Sequence, residues 1–391
     1  MEDVVIVGAA RTAIGDFLGK LKDVPAVDLG VTAAREAMQR AGVEPGQIED
    51  VVAGLVYKAG VKGNPARQVQ LACDIPVDTP AVTVEQQCAS GMRAVEVAAQ
   101  QIRLGKSSLS LALGMESMSR VPYLLFGART GYRLGPGTVE DSLLYDALND
   151  AFHGYHMGVT AENLAERYTV SREEQDELAL TSHRRAAQAI ESGRFQEEIV
   201  PVTVKTKKGE TVVDTDEHPR ADASLENLSR LKPVFKKDGT VTAGNASGIN
   251  DGAAALVLMA ESRAKELGVT PLAKLRSSVS VGVSPEIMGI GPAYALPKAV
   301  DAAGLSLSDV EYFEINEAFA AQFLAVNREL ELDMDKVNAN GSGIALGHPV
   351  GCTGARIIVS LLYELRRRGE SLGAASLCVG GGPSMATIVE R

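Results

Sequence analysis

One cysteine stands where a strand-like run gives way to a helical one. Residues 82–84 form the end of an apolar run, and Cys88-Ala89-Ser90-Gly91 opens a segment of small and apolar residues with helical spacing. A thiol at a helix N-terminus lies at the positive end of the helix dipole, which lowers its pKa and favours the nucleophilic thiolate. The pattern therefore predicts a nucleophile at Cys88, with a buried structural cysteine as the alternative.

A second reactive candidate is His348, one of five histidines in the chain. It lies in Gly347-His348-Pro349-Val350-Gly351, and Gly341 and Gly343 precede it. A backbone this rich in glycine permits close approach to a ligand. We therefore interpret His348 as a site residue, the alternative being a loop histidine that caps a helix. Cys352 follows closely, but it falls inside the next helix and is interpreted as a packing residue.

Two further strand-like runs end in polar or reactive residues. The run 375–378 ends at Cys378 and breaks into three glycines, whose N–H groups are free to form an oxyanion hole. On local context alone, Cys378 is better explained as a strand cysteine before a tight turn. The run 312–315 gives way to Asn316, an N-cap or a site residue. Ligands bind at the carboxyl ends of strands in open α/β sheets, so these four strand ends can converge on one site.

The elements that must position these residues alternate between short apolar runs and longer helical patterns, which is typical of an α/β fold. A faint repeat relates the two ends of the chain. Ala37-x-x-x-Ala41-Gly42 recurs as Ala299-x-x-x-Ala303-Gly304, and Ser90-Gly91-x-Arg93 recurs as Thr353-Gly354-x-Arg356. Two ordered matches predict a duplicated unit. Residues 121–247 carry long polar helices, one opened by a Ser171-x-x-Glu174 capping box, and indicate an insertion over the core.

Composition narrows the function classes. The 391 residues exceed what one ordinary core needs, and a net charge of −11 argues against general binding to nucleic acid or anionic membranes. The four cysteines show no C-x-x-C spacing and are expected to be free thiols in a reducing compartment. No targeting segment and no apolar stretch of ~18 residues is visible, so a cytoplasmic location is expected. His153-x-x-His156 lacks a supporting acidic or cysteine cluster, so no metal is predicted.

Together these segments resemble the thiolase family over essentially the whole chain. The strings that carry the resemblance, in the family's order and spacing, are Cys88-Ala-Ser-Gly, Gly154-Tyr-His-Met-Gly158, Gly244-Asn-Ala-Ser-Gly248, Asn316-Glu-Ala-Phe, Gly347-His-Pro and Cys378-Val-Gly-Gly-Gly. The resemblance implies a thiolase-like five-layered α/β/α/β/α core built from two similar halves, with an inserted loop domain. The expected boundaries are 1–120 plus 248–270 for the N-terminal half, 121–247 for the loop domain over the CoA site, and 271–391 for the C-terminal half. Three positions depart from the family pattern: Glu85 replaces a usual Asn, Ser342 a common Gly, and Pro383-Ser384 a usual Gly.

The resemblance also implies roles. Cys88 would be the acylated nucleophile, His348 the base that activates it, and Cys378 the group that moves the α-proton of the second thioester. Asn316 would hold a water that forms one oxyanion hole with His348, and the N–H groups of Cys88 and Gly380 would form the other. The residues expected to bind substrate and CoA are His156, Met157, Arg220, Phe235, Ala243, Ser247, Met288, Ala318 and Phe319, with Arg220 towards the nucleotide end.

The implied activity is the Claisen condensation of two acetyl-CoA molecules to acetoacetyl-CoA and CoA, and the reverse thiolysis, without a metal or redox cofactor. A short acyl chain is favoured because a methionine, Met157, stands beside the expected acyl pocket. The alternatives are a broad 3-ketoacyl-CoA thiolase of fatty-acid β-oxidation and a condensing synthase on the same fold. A non-catalytic CoA or lipid carrier is disfavoured, because Cys88, His348 and Cys378 are all present. Assembly is expected as a homotetramer, in which two chains pair through strand residues 82–87 and two such dimers join through their loop domains.

Overall fold

A computed structural model of the chain describes residues 2–207 and 209–391. The N-terminal part begins with a long buried strand and alternates strands with helices up to a second long buried strand. Its elements are β1 (Val4–Thr12), β2 (Gly15–Asp16), α1 (Ala26–Ala41), β3 (Asp50–Gly54), α2 (Pro65–Ala72), β4 (Ala81–Val84), α3 (Ser90–Arg103) and β5 (Leu109–Ser117).

The segment that follows leaves the core and carries two long helices and several short strands. Its elements are β6 (Tyr123–Leu124), β7 (Glu140–Asp141), α4 (Met157–Arg167), α5 (Arg172–Glu191), β8 (Ile199–Val200), β9 (Val202–Thr206), β10 (Gly209–Val213) and α6 (Leu225–Ser229). The predicted capping box is confirmed, since Ser171 Oγ accepts the Glu174 N–H and the Glu174 carboxylate accepts the Ser171 N–H.

The chain then returns to the core with the long strand that completes the first sheet, and the remaining elements repeat the earlier pattern. They are β11 (Asn250–Ala260), α7 (Glu261–Leu267), β12 (Ala273–Gly282), α8 (Gly291–Ala302), β13 (Tyr312–Ile315), α9 (Ala320–Leu330), α10 (Gly343–Leu346), α11 (Val350–Arg368), β14 (Leu372–Cys378) and β15 (Pro383–Glu390).

The strand order of the two halves is the same. In the first half the order is β3-β5-β11-β1, with β4 outside β3, and in the second half it is β13-β14-β15-β12. The pairings of the four matching strands agree as well: β3 is parallel to β5 as β13 is to β14, and the remaining pairs within each four are antiparallel. The additional strand β4 is parallel to β3. A short antiparallel contact between β1 and β12 joins the two sheets at Val5 and Ile6. The duplicated α/β unit predicted from the sequence repeat is confirmed.

Five layers result from this arrangement. Helix α1 packs on the outer face of the first sheet, α3 and α11 lie between the two sheets, and α8 covers the outer face of the second. The central helices approach closely because each has a glycine at the crossing. A Cβ on Gly91 would lie 2.7 Å from the backbone nitrogen of Ala355, and one on Gly354 would lie 2.5 Å from that of Met92. The repeated Ser/Thr-Gly-x-Arg motif is therefore the contact between the two halves.

Helix α1 begins at Ala26 with Pro25 as its N-cap and ends at Gly42, which has φ 64°. The interpretation of residues 121–247 needs correction, because they contain more strand than their polar pattern indicates. The boundaries 1–120, 121–247, 248–270 and 271–391 stay predictions.

Within the described residues, no helix is both long and apolar enough to cross a bilayer.

Candidate active site

A tight turn between β4 and α3 presents Cys88. Gln87 adopts the left-handed conformation with φ 45°. The hydroxyl of Ser90 closes the turn, because it accepts the Gln86 N–H at 2.9 Å and donates to the Gln87 carbonyl at 2.7 Å. Glu85 contributes a further bond, since its carboxylate accepts the Gln87 N–H at 2.6 Å. The unusual residue at position 85 therefore serves as a turn acceptor in this chain.

The lowered pKa that the sequence predicts for Cys88 is wrong. Burial raises the pKa of the Cys88 thiol to about 11, although the backbone N–H groups of Gly380 and Cys88 hydrogen-bond to the sulfur and act in the opposite direction. The cost of desolvating a thiolate thus exceeds the effect of the helix N-terminus. At neutral pH the group is a thiol, and it needs a base before it can attack a carbonyl carbon.

His348 is held by hydrogen bonds on its backbone and on its ring. Its N–H donates to Asn250 Oδ1 at 2.9 Å, and Nδ1 lies 2.6 Å from the Thr353 hydroxyl. That hydroxyl donates its proton to the Pro349 carbonyl at 2.9 Å. Thr353 must therefore accept the Nδ1 proton, which leaves Nε2 of the neutral ring unprotonated.

The ring of His348 is neutral and has one nitrogen free to accept a proton. Burial, together with the positive charge of Arg356, lowers the pKa of His348 to about 3, so the ring is neutral near pH 7. Among the described residues, no group hydrogen-bonds to its buried Nε2. Asn316 lies beside the ring, with Nδ2 3.5 Å from Nδ1, and its buried Oδ1 also has no partner within the described chain. Two polar atoms are thus available to a ligand or a water.

Cys378 ends β14, and the glycines after it turn the chain sharply. Gly381 and Gly382 have φ of 84° and 104°. A Cβ on Gly380 would lie 2.8 Å from the methyl group of Met157, so only glycine fits there without displacing that side chain. Burial and the neighbouring Cys88 both raise the pKa of Cys378 well above its usual range. The two thiols are therefore close enough to interact.

The departures at 342 and 383–384 are accommodated in the structure. The Ser384 hydroxyl donates to the Leu377 carbonyl at 2.7 Å, and Ser384 pairs with Cys378 across the β14–β15 ladder. The Ser342 hydroxyl donates to the Ile315 carbonyl at 3.0 Å. Both serines therefore donate hydrogen bonds to strands that end at the site, and the departure at Ser384 does not interrupt the pairing of β14 with β15.

A cavity of ≈ 290 Å³ brings the predicted residues together. Twelve of those singled out from the sequence line it: Cys88, His348, Cys378, Gly380, His156, Met157, Phe235, Ala243, Ser247, Met288, Ala318 and Phe319. Asn316 lies behind this lining, next to His348. The remaining lining residues were not predicted from the sequence: Gln87, Met118, Ala147, Leu148, Val234, Ala246, Gly248, Ile249 and Val350.

Aromatic side chains form one wall of the cavity. The His156 ring stacks on Phe235 with centroids 4.5 Å apart, and Phe235 meets Phe319 edge to face at 6.0 Å. Nδ1 of His156 accepts the Gly158 N–H at the head of α4, and burial lowers the pKa of His156 to about 4. This wall is therefore apolar and uncharged, and suits the uncharged arm of a thioester. Ser247 is fixed across from it by donating its N–H to the Ala318 carbonyl at 2.9 Å.

Arg220 lies outside the cavity lining. Its side chain is mostly exposed, its N–H donates to His183 Nδ1 at 3.2 Å, and its guanidinium is 3.9 Å from the Asp16 carboxylate. Its predicted contact with the nucleotide end of CoA therefore stays a prediction. Across residues 2–207 and 209–391, no group of three or more His, Cys, Asp or Glu side chains is arranged to hold a metal ion.

Three residues that support the catalytic loops were missed. Thr353 was noted only as part of the repeat, although its position at a helix head after a histidine is a usable signal. Asn250 carries no local signal, because it reaches His348 from a strand 98 residues away. Glu116 is a lone charge in the apolar run of β5, and a buried charge of that kind is unusual enough to mark it.

Comparison with known proteins identifies the class. Residues 4–262 match the family described as "Thiolase, N-terminal domain", and residues 269–391 match "Thiolase, C-terminal domain". The chain belongs to the thiolase family.

Individual relatives and solved structures are similar to the chain over its full length. The chain is 53% identical over 392 residues to an acetyl-CoA acetyltransferase of Escherichia coli (strain K12) and 50% identical to one of Pseudomonas aeruginosa, each alignment covering 100% of both chains. Among solved structures, the acetyl-CoA acetyltransferase from Syntrophomonas wolfei has a TM-score of 0.99 at 53% identity, covering 100% of both chains. The human mitochondrial 3-ketoacyl-CoA thiolase has a TM-score of 0.96 at 43% identity, covering 100% of this chain and 99% of that one.

Proposed function

We propose that the protein is an acetyl-CoA C-acetyltransferase, which condenses two molecules of acetyl-CoA to acetoacetyl-CoA and CoA and catalyses the reverse thiolysis. The observation that carries the proposal is the single cavity lined by Cys88, His348, Cys378 and Gly380. Those residues supply a nucleophile, a base, a second proton carrier and an oxyanion donor. Full-length identities of about half to proteins named acetyl-CoA acetyltransferase support the same activity.

In the first half-reaction, Nε2 of His348 accepts the Cys88 proton and the thiolate attacks the thioester carbonyl carbon. The resulting oxyanion is held by the N–H groups of Cys88 and Gly380, which already face the sulfur. When the intermediate collapses, the bond to the CoA sulfur breaks, and the departing thiolate takes a proton from Cys378. The products are acetyl-Cys88, CoA, a protonated His348 and a Cys378 thiolate.

In the second half-reaction, the Cys378 thiolate removes a proton from the α-carbon of a second acetyl-CoA. The enolate oxygen accepts a hydrogen bond from Nε2–H of His348, and Oδ1 of Asn316 can hold a water as a second donor. The α-carbon attacks the acetyl carbonyl, and the bond to Cys88 breaks. The Cys88 sulfur recovers its proton from His348, so all three groups regain their initial states and acetoacetyl-CoA is released.

Every step uses a side chain or an N–H group of the chain, so the proposed reaction requires no metal or redox cofactor. The substrates and products are acetyl-CoA, acetoacetyl-CoA and CoA. We further propose a cytoplasmic location, because the four cysteines are free thiols and a covalent cysteine nucleophile must stay reduced.

The short-chain preference is proposed on the position of Met157. Its methyl group packs against Gly380, next to the two catalytic cysteines, and Met288 lines the same cavity. A broader 3-ketoacyl-CoA thiolase is the second candidate, because a structure with that name is similar over the whole chain.

Thiolysis of acetoacetyl-CoA, measured beside 3-ketohexanoyl-CoA and 3-ketodecanoyl-CoA, tests the function and separates the two candidates. The proposal predicts the highest kcat/KM with the four-carbon substrate. Met157→Ala should raise kcat/KM for the six-carbon substrate relative to the four-carbon one. Equal or greater activity of the native enzyme on ten carbons would favour the second candidate, and no thiolysis of any of the three would reject both.

We also propose that the chain assembles as a homotetramer, arranged as a dimer of dimers. Strand β4 is the outer strand of its sheet, with Val82 exposed, and it leads directly to Cys88. A free strand edge beside the reactive loop suits pairing with a second copy of the chain. The segment 121–153 exposes a group of large apolar side chains, which suits burial between dimers. They are Tyr123, Leu125, Phe126, Tyr132, Leu134, Val139, Leu144, Tyr145 and Phe152.

A further inference from the structure

A buried carboxyl group ties the head of α11 to the turn after β3. Glu116, on β5, is 1% exposed, and its Oε2 accepts the N–H groups of Val56 and Gly351, both at 3.0 Å. Its Oε1 accepts the Tyr57 N–H at 3.3 Å. The residue that precedes α11, Pro349, offers no side-chain cap. Glu116 therefore supplies the acceptor that this helix head lacks in its own sequence.

The fit around this carboxyl group is close. A Cβ on Gly351 would lie 2.6 Å from Glu116 Oε2 and 3.0 Å from the Cα of Leu55. Gly351 is the third residue after His348, and Val350 between them lines the catalytic cavity. A shift of the α11 head would therefore displace both a cavity wall and the catalytic base.

Glu116 also lines a second cavity, of ≈ 340 Å³, in the first half of the molecule. The internal duplication relates this cavity to the catalytic one. In the sequence repeat, Ala299 follows Ala37 by 262 residues. Two pairs of lining residues have the same separation: Ala26 and Tyr57 line the second cavity, and Met288 and Phe319, each 262 residues later, line the catalytic one.

The duplication also relates the backbone donors of the two cavities. Ser90 and Thr353 are equivalent in the repeat, so Cys88 corresponds to Gly351, two residues before each. The Cys88 N–H faces the reactive sulfur, where the proposed oxyanion forms. The Gly351 N–H instead donates to Glu116. At the position in the second half that corresponds to Cys88, the backbone donor is thus already occupied by a carboxyl oxygen of the first half.

We propose that Glu116 is a positioning residue. Its carboxyl oxygen occupies the place that the duplication relates to the oxyanion site. Its hydrogen bond with the Gly351 N–H holds His348 in position beside Cys88. The proposal rests on the proposed function, because its effect is measured through acylation of Cys88. It assigns no contact with substrate to Glu116, which is absent from the lining of the catalytic cavity.

Glu116→Ala tests the proposal by removing the acceptor and leaving space that the second cavity connects to. The rate of Cys88 acetylation by acetyl-CoA should fall roughly 100-fold, because a small displacement of a catalytic group has about that effect. KM for acetoacetyl-CoA should stay near the native value. Added sodium acetate or acetamide, each with a carbonyl oxygen to accept the Val56 and Gly351 N–H groups, should restore most of the lost rate. Sodium chloride at equal ionic strength should not.

If the Glu116→Ala protein does not fold, the variants Glu116→Gln and Glu116→Asp test the same proposal. Burial raises the pKa of Glu116 to about 8, so near pH 7 most molecules carry a protonated carboxyl, which an amide resembles. The glutamine variant should retain most activity, and the aspartate variant, one methylene shorter, should not. As a matched control, Asp251→Ala removes another buried carboxylate, which holds Ser119 and lines neither cavity, so acetate should not change its rate.

Three results would overturn the proposal: native acylation rates in Glu116→Ala, a loss in that folded variant that neither reagent restores, or equal rates in the glutamine and aspartate variants. Failure of the proposed function itself would be recognised separately, because the native enzyme would then show no acylation and no thiolysis.

Discussion

Replacing Thr353 with valine removes the hydroxyl that orients the catalytic histidine and changes little else. The Thr353 oxygen is 2.6 Å from His348 Nδ1 and is committed to the Pro349 carbonyl as a donor. Valine has nearly the same shape, so the packing of α11 is retained. The Nδ1 proton, however, loses its acceptor, because its other polar neighbour, the Asn316 amide nitrogen at 3.5 Å, is itself a donor.

The size of the effect follows from the burial of the ring. His348 is 6% exposed, so water does not readily replace the lost acceptor. An unsatisfied buried N–H costs about 1–3 kcal/mol, which corresponds to roughly a 5- to 150-fold loss in rate if the ring turns or changes tautomer to escape it. Either movement takes the basic Nε2 away from Cys88. We therefore expect kcat for thiolysis and the Cys88 acetylation rate to fall together, while KM changes little.

Stopped-flow thiolysis of acetoacetyl-CoA and mass spectrometry of Cys88 acetylation measure the two rates. Thr353→Ser retains the hydroxyl and should be close to native. Thr387→Val removes another buried threonine hydroxyl, whose partner is Ser278 on a neighbouring strand, and should leave both rates unchanged. A native rate in Thr353→Val, or an equal loss in Thr353→Ser, would refute the orientation argument.

Three further predictions concern the thiols and the assembly. Because burial raises the pKa of Cys88 to about 11, alkylation of the free enzyme by iodoacetamide should accelerate steadily from pH 7 to pH 10, and a rate that levels off below pH 8 would contradict this assignment. Cys378→Ala should still acetylate Cys88, with slower release of CoA, but should fail to exchange the α-protons of acetyl-CoA with deuterated water; unchanged exchange would exclude Cys378 from that step. Light scattering at micromolar concentration should report a tetramer for the native protein and a dimer for Leu134→Asp, whereas a fully active native monomer would refute both interfaces.

The sequence predicted the fold and the main site residues because their signals are local. Strand-like runs that end in Cys88, Asn316 and Cys378 are visible without knowledge of tertiary structure, and the repeated helix ends revealed the duplication. The family motifs then ordered these segments into one site. The structure adds that Gly91 and Gly354 face each other between the central helices, which explains why the repeat preserves a glycine there.

The raised pKa of Cys88 and the residues that support the catalytic loops, Asn250 and Glu116, could not be predicted from local signals. A helix N-terminus is recognisable from sequence, whereas the desolvation that outweighs it depends on atoms from β14, α11 and the inserted segment. Asn250 and Glu116 act across 98 and 235 residues of chain. Their partners are backbone N–H groups, which every residue other than proline possesses, so no pairing of residue types marks the contact in sequence.

The most direct test of the proposed mechanism is to incubate the native enzyme with acetyl-CoA alone, quench with acid, and map the acetyl group by peptide mass spectrometry. The mechanism predicts one acetyl group on the peptide that carries Cys88, with release of CoA, and no such adduct in Cys88→Ala. An adduct on Cys352 or Cys378 but not on Cys88, or CoA release without any adduct in the native enzyme, would contradict it.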